Sequence, residues 1–154
     1  TLRIREGDPR EIFVDREGEV ILKKYSPIRE LSDFAKEYAE ALYDSFRHLV
    51  LICDRDSYIA AIGHSKKDYY QKNISPYIEN VMEGRTSVLQ TGEDTTAFVE
   101  GIEESNTSFA IGPIVAGGDP IGAVILLSKD NKLTETEKKA VEIAASFFAR
   151  QMEQ

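Results

Sequence analysis

Residues 108–128 constrain the fold more than any other stretch. They read Ser108-Phe109-Ala110-Ile111-Gly112-Pro113-Ile114-Val115-Ala116, turn through Gly117-Gly118-Asp119, and return as Pro120-Ile121-Gly122-Ala123-Val124-Ile125-Leu126-Leu127-Ser128. Two apolar runs of strand length about a glycine pair form a long β-hairpin, because glycine alone enters the positive-φ turn without steric cost. The chain is thereby committed to an antiparallel sheet, and the remaining elements must supply its other strands and its cover.

A second hairpin pattern lies at the front. Ile12 and Val14, then Val20 and Leu22, alternate with polar neighbours about Gly18, and Gly7-Asp8-Pro9 makes an earlier turn. Two strands alone are at best marginally stable in water, so this segment is expected to pair with something else. Arg3, Arg5, Arg10, Arg16, Lys23 and Lys24 fall here, interspersed with Glu6, Asp8, Glu11, Asp15, Glu17 and Glu19, which leaves the hairpin near neutral.

Between the hairpins, Ser26-Pro27 has the form of an N-cap followed by proline at the first helical position. Leu31, Phe34, Ala35, Tyr38, Leu42 and Phe46 then recur at spacings of three and four, predicting one amphipathic helix to about residue 47, about 30 Å long. His48–Asp54 is a buried-strand run with 58–63 as its hairpin partner across Arg55-Asp56. Ser65 is expected to cap a short helix with Asp68 at its third position, and Ser75-Pro76 to open another that Gly84 ends. Residues 86–90 and 97–99 read as short strands about a polar Gly-Glu-Asp-Thr loop. Thr134 and Glu137 form a capping box, and Ala140, Val141, Ala144, Phe147 and Phe148 stripe a closing helix. The layout is α+β, an antiparallel sheet flanked by helices.

Composition narrows the function. The 154 residues are 42% hydrophobic and 30% charged, and no apolar run approaches the roughly 20 residues of a membrane span. With 27 acidic against 19 basic residues the net charge is −8, which repels a phosphate backbone over most of the surface. Thr1 stands where an initiator Met is expected and no basic-then-apolar leader follows, so the expectation is a cytoplasmic fragment or processed chain, not a secreted precursor.

The order of elements over residues 28–154 resembles a GAF domain, most of all in the final hairpin, where Gly112-Pro113-Ile114 is answered by Ile121-Gly122-Ala123-Val124. Residues 1–25 resemble the back half of the swapped-hairpin DNA-binding domain of AbrB-type transition-state regulators; the arginine-rich front hairpin of that domain is not in this chain. Together they resemble sporulation regulators that join the two. The expected organisation is a partial AbrB-type domain over 1–25, a linker helix over 26–47 and a GAF-like sensory and oligomerisation domain over 48–154. The resemblance implies a DNA-binding regulator of late sporulation genes, activating or repressing, and not an enzyme. It also implies a homodimer through residues 1–25, and a GAF-like contact added to that gives a tetramer. DNA is a partner when the front hairpin is present, so these 154 residues alone are expected to bind it poorly, with Arg3 and Arg5 the DNA-proximal candidates. The alternative is a stand-alone GAF-like sensor that signals to a protein partner through its terminal helices.

GAF domains often hold a small molecule between the sheet and the short helices, and here Asp54, Tyr58, Ser65, Tyr69, Tyr70 and Phe109 are candidates for such a pocket. Core packing is the favoured role for Tyr58 and Phe109, and half-exposed packing for the other tyrosines, because no arrangement of these residues fixes a ligand type. The effector, if any, is an unidentified small molecule, and no cofactor is expected. Of the family's cyclic-nucleotide signature, Asn-Lys-variable-Phe-Asp-Glu, only Asn131-Lys132 is present, which argues against that ligand. Cys53 sits in an apolar run and His48 on the same strand is expected on the opposite face, so neither a Cys/His nucleophile nor a metal set is expected. Leu31, Phe34, Tyr38, Leu42, Phe46, Phe147, Phe148 and Met152 give the terminal helices more apolar surface than a thin sheet needs, and are the oligomer-interface candidates.

Overall fold

The computed structural model describes residues 28, 31–92, 94–106 and 108–153. The front hairpin, with Arg3 and Arg5, and the Ser26-Pro27 cap lie outside these residues.

The long hairpin forms as expected. Strands β6 (Ser108–Ala116) and β7 (Asp119–Ser128) pair antiparallel, with Ala116 opposite Asp119. The connection is therefore the two residues Gly117 and Gly118, at φ 61° and 86°, and Asp119 belongs to the returning strand. Strand β1 (Leu49–Cys53) pairs with β7 on one side and with β2 (Tyr58–Ile62) on the other, while the short β3 (Val88–Gln90) pairs with β6. The sheet order is β2-β1-β7-β6-β3. Every residue of β1, and of β7 after Asp119, is buried, so both faces of the sheet are covered.

One face carries α1 (Ser32–Phe46) and α3 (Glu135–Met152). Here Val50, Ile52, Ala60, Ala110, Val124 and Leu126 meet Ala35, Ala39 and Leu42 of α1 and Val141, Ala144 and Phe148 of α3. Small residues let α3 sit close to the strand: a methyl group at Gly112 would lie 2.6 Å from the Val141 carbonyl oxygen. The other face carries α2 (Pro76–Gly84) and a two-stranded ribbon of β4 (Asp94–Val99) and β5 (Ile102–Asn106). Its core is Leu51, Cys53, Ile125 and Leu127 against Ile78, Met82, Phe98 and Tyr69.

Helix ends explain where expectation and structure agree or part. Thr134 forms the capping box with Glu137, its backbone N–H donating to Glu137 Oε1 at 2.7 Å, and Ser75 Oγ accepts from the Ile78 N–H at 3.3 Å beside Pro76. Helix α1 starts at Ser32, not near residue 28, because Leu31 holds φ −104°, ψ 23° outside the helical region; at 15 residues it is about 22 Å long. Ser65 does not cap the 3₁₀ turn Lys66–Asp68: it is left-handed at φ 65°, and only its carbonyl takes part, accepting from the Asp68 N–H at 3.0 Å. Gly84 is the last residue of α2 and Arg85 takes the left-handed position at φ 57°, where its side chain is fixed by the Glu83 and Gly118 carbonyls. Two elements differ in the middle. The polar loop after Gly92 is shorter than expected, since Asp94 and Thr95 belong to β4, and β5 is a strand that alternation does not reveal.

Candidate functional site

The face beneath α2 and the ribbon is filled by aromatic side chains. Phe98 and Phe109 meet edge to face at 5.1 Å and 87°, Tyr77 lies 6.1 Å from Phe109, and Tyr58 and Tyr69 stand edge to face at 6.3 Å. Tyr58, Phe98 and Phe109 are essentially inaccessible to solvent. Their polar ends are tied off: Tyr58 Oη donates to the Phe98 carbonyl at 2.5 Å, and Tyr69 Oη to Glu104 Oε1 at 2.6 Å, which also accepts from Lys129 Nζ at 2.8 Å. Burial raises both phenol pKa values well above the ordinary one, and for Tyr69 the hydrogen bond to the Glu104 carboxylate adds to it, so both are donors at any physiological pH.

Of the six pocket candidates, then, Tyr58, Tyr69 and Phe109 lie in one packed cluster. Asp54 is buried beside it and holds a turn, its Oδ1 accepting from the N–H groups of Asp56 at 2.7 Å and Ser57 at 2.9 Å. Ser65 and Tyr70 lie on the surface. Phe98, Glu104 and Lys129 complete the cluster without having been expected in it. Phe98 lay within a short apolar run, but Glu104 and Lys129 come from a strand and a turn that carry no local sign of partnership.

The terminal helices meet through aromatic rings. Phe34 and Tyr38 of α1 lie 5.4–5.7 Å from Phe147 and Phe148 of α3. Of the interface candidates, Phe148 and Leu42 are core; Leu31, Phe34, Tyr38, Phe46 and Met152 are partly buried against that core. Phe147 keeps 38% of its surface exposed, and one turn earlier on the same stripe Ile143 is 63% exposed, a residue the helical periodicity did not single out.

Helix α3 also borders a cleft of about 450 Å³. Its floor is Gly112, Pro113 and Val115 of β6; one wall is Glu142, Ala145, Ser146, Ala149, Arg150 and Glu153, and the other Arg85 and Ser87. The cleft exists because β3 covers β6 only over Phe109–Ile111, and among the described residues no strand pairs with β6 beyond it on that side. Ser87 Oγ donates to Glu142 Oε2, and the Gly117 N–H of the hairpin turn to Glu153 Oε2 at 3.0 Å, so both carboxylates are engaged. No local motif announces this site, since Arg85 and Arg150 are far apart in sequence.

The structure keeps Cys53 and His48 apart. Cys53 is buried, and burial first, then the adjacent Asp54 charge, raises its thiol pKa far above the ordinary value. His48 lies on the other face, its Nε2 4.0 Å from Glu137 Oε2. Burial pushes the Glu137 carboxyl up, but hydrogen bonds from Thr134 and its own backbone, with His48 nearby, outweigh this and leave it lowered. Among the described residues no cluster of His, Cys, Asp and Glu is arranged to hold a metal ion, and no helix is long and apolar enough to cross a membrane.

A central antiparallel sheet between a pair of terminal helices and a smaller helix-and-ribbon layer defines the class, a GAF-type domain. The fold is shared with the type II free methionine-R-sulfoxide reductase of Thermoplasma acidophilum, at TM-score 0.64 and 14% identity over 81% of this chain and 94% of that one. It is shared too with the cofactor-binding GAF domain of the nutrient sensor CodY from Clostridium difficile, at TM-score 0.57 and 14% identity over 76% and 83%. At such identities the likeness is one of fold alone. Sequence goes further: residues 30–153 match the family model for the C-terminal part of Stage V sporulation protein T, a transcription factor. The chain is 66% identical over all 154 residues, and over 86% of the relative's length, to Stage V sporulation protein T of Bacillus subtilis (strain 168). The chain belongs to the Stage V sporulation protein T family of sporulation transcription factors, with a GAF-like C-terminal domain.

Proposed function

We propose that the protein is a DNA-binding regulator of late sporulation genes, acting in the cytoplasm, whose GAF-like domain holds subunits together and responds to a small molecule. The observation that carries this reading is the 66% identity along the entire chain to a sporulation transcription factor, since so high an identity spans residues 1–25 as well as the GAF-like part. The front segment then pairs with its copy in a second chain, and the GAF-like domains add a further contact. The exposed Ile143, and Phe147 beside the Phe34 and Tyr38 rings, support the terminal helices as that contact, because apolar surface left in water on a helix pair is offset by burial against another subunit. Catalysis has no part in this reading.

The α2 face admits an effector only by parting Tyr58, Phe98 and Phe109, which costs the packing those rings make. Genome-wide occupancy of the protein, measured through sporulation, tests the regulator reading: enrichment at promoters of late sporulation genes is expected, and occupancy indifferent to promoters contradicts it.

A further inference from the structure

The aromatic face where a GAF domain would be expected to take a ligand is closed, whereas the cleft between α3 and β6 is open and of a size suited to a small molecule. Its polar groups are unevenly committed. Glu142 accepts a hydrogen bond from Ser87 of the facing wall and Glu153 from the Gly117 N–H of the hairpin turn. The Arg85 guanidinium spends Nε on the Gly118 carbonyl at 3.0 Å and Nη1 on the Glu83 carbonyl at 2.8 Å, neither of which neutralises its charge. It retains further N–H donors, and the Arg150 guanidinium makes no hydrogen bond or ion pair among the described residues. The apolar part of the same lining is Pro113 and Val115 of the floor and Ala145 and Ala149 of the α3 wall.

We propose that this cleft binds a small aliphatic monocarboxylic acid, its carboxylate held by Arg85 and Arg150 and its hydrocarbon body laid on the partly exposed Pro113 and Val115. Guanidinium groups suit a carboxylate because their paired donors match its two oxygens. One negative charge is preferred over two because Glu142 and Glu153 repel the second, and an aliphatic body is required because an inorganic anion would leave the floor in water. The inference deepens the regulator reading by locating its effector, and rests on that reading for the consequence alone. Ser146 and Arg150 lie on the same exposed stripe of α3 as Ile143 and Phe147, at spacings of three, four and seven residues, so a ligand held at Arg150 changes the surface offered to a second subunit.

The test is a titration of the 154-residue chain with butanoate, hexanoate and octanoate, and with inorganic phosphate at matched ionic strength, followed by backbone amide NMR and melting temperature. Saturable shifts at Val115, Ser146 and Arg150 are expected, tightening with chain length and accompanied by a higher melting temperature. Arg150→Gln, at an exposed position, should weaken hexanoate by about tenfold. Ser146→Leu should obstruct the cleft while leaving both arginines in place. The proposal is overturned by phosphate binding as tightly as hexanoate, by hexanoate binding unchanged in both variants, by shifts centred on Phe98 and Phe109, or by no saturable shift with any acid. Promoter occupancy is read without any of these probes, so either result can fail without the other.

Discussion

The two faces of the sheet are built from different materials. On the α2 face, rings meet edge to face and every buried phenol is tied to an acceptor, so the layer is fixed by packing and by hydrogen bonds together. On the α1 and α3 face, alanines and aliphatic side chains let two helices lie close to the strands, and what does not fit beneath them stays in water as Phe147, Ile143 and the Arg-rimmed cleft. The α2 face leaves Ile102 of the ribbon isolated in water, whereas the helical face leaves two neighbouring apolar side chains, Ile143 and Phe147, exposed on one helix. The difference teaches where to look for the proposed subunit contact: at the terminal helices, on the side away from the aromatic layer.

The sharpest way to break this contrast is to remove one ring from each face. Phe109→Ala should cost about 3–5 kcal/mol in urea unfolding, because its rigid ring neighbours cannot collapse into the cavity. Phe147→Ala should cost only about 1 kcal/mol, its ring contacts with Phe34 and Tyr38 being partly solvated. Equal losses would mean that the faces are not distinct.

Gly112→Ala probes the close approach on the helical face. The added methyl group meets the Val141 backbone at 2.6 Å, which α3 can relieve only by moving, so a loss of about 1–3 kcal/mol is expected by the same measurement. A neutral substitution would show that α3 rides more loosely on β6 than the structure has it.

Thr134→Ala removes the capping box and should cost about 1 kcal/mol at neutral pH. The Glu137 carboxyl is held below its usual 4.5, so its contribution is fully present above that value and is lost as pH falls through the lower, folded-state value. The difference between wild type and Glu137→Gln, followed by thermal melts across the acid range, should therefore shrink as the pH drops. A difference that grew toward low pH would contradict the direction assigned to Glu137.

Where sequence reading succeeded, short-range physics decided the outcome. The 108–128 hairpin, the Ser75-Pro76 start and the Thr134–Glu137 box are each written within a few residues, and each formed. The GAF-type fold followed from their order. Where it fell short, distant groups decided. Strand β5 has one apolar side chain, Ile102, and that one is 53% exposed; it is a strand because its backbone pairs with β4 and Glu104 is gripped by Tyr69 and Lys129. Ser65 looked like a cap because serine usually caps, but its left-handed backbone turns the hydroxyl away from that task. The cleft depends on β3 stopping short of residue 112, a matter of pairing length on which residues 86–90 are silent in isolation.

Sedimentation equilibrium of wild type and Phe147→Glu, with melting temperatures of both, tests most directly the claim that the terminal helices carry the proposed subunit contact. The account predicts a wild-type assembly larger than a dimer, and a Phe147→Glu variant reduced to a dimer with its melting temperature nearly unchanged. A wild-type protein that sediments as a lone monomer, or an assembly indifferent to Phe147→Glu, would contradict it.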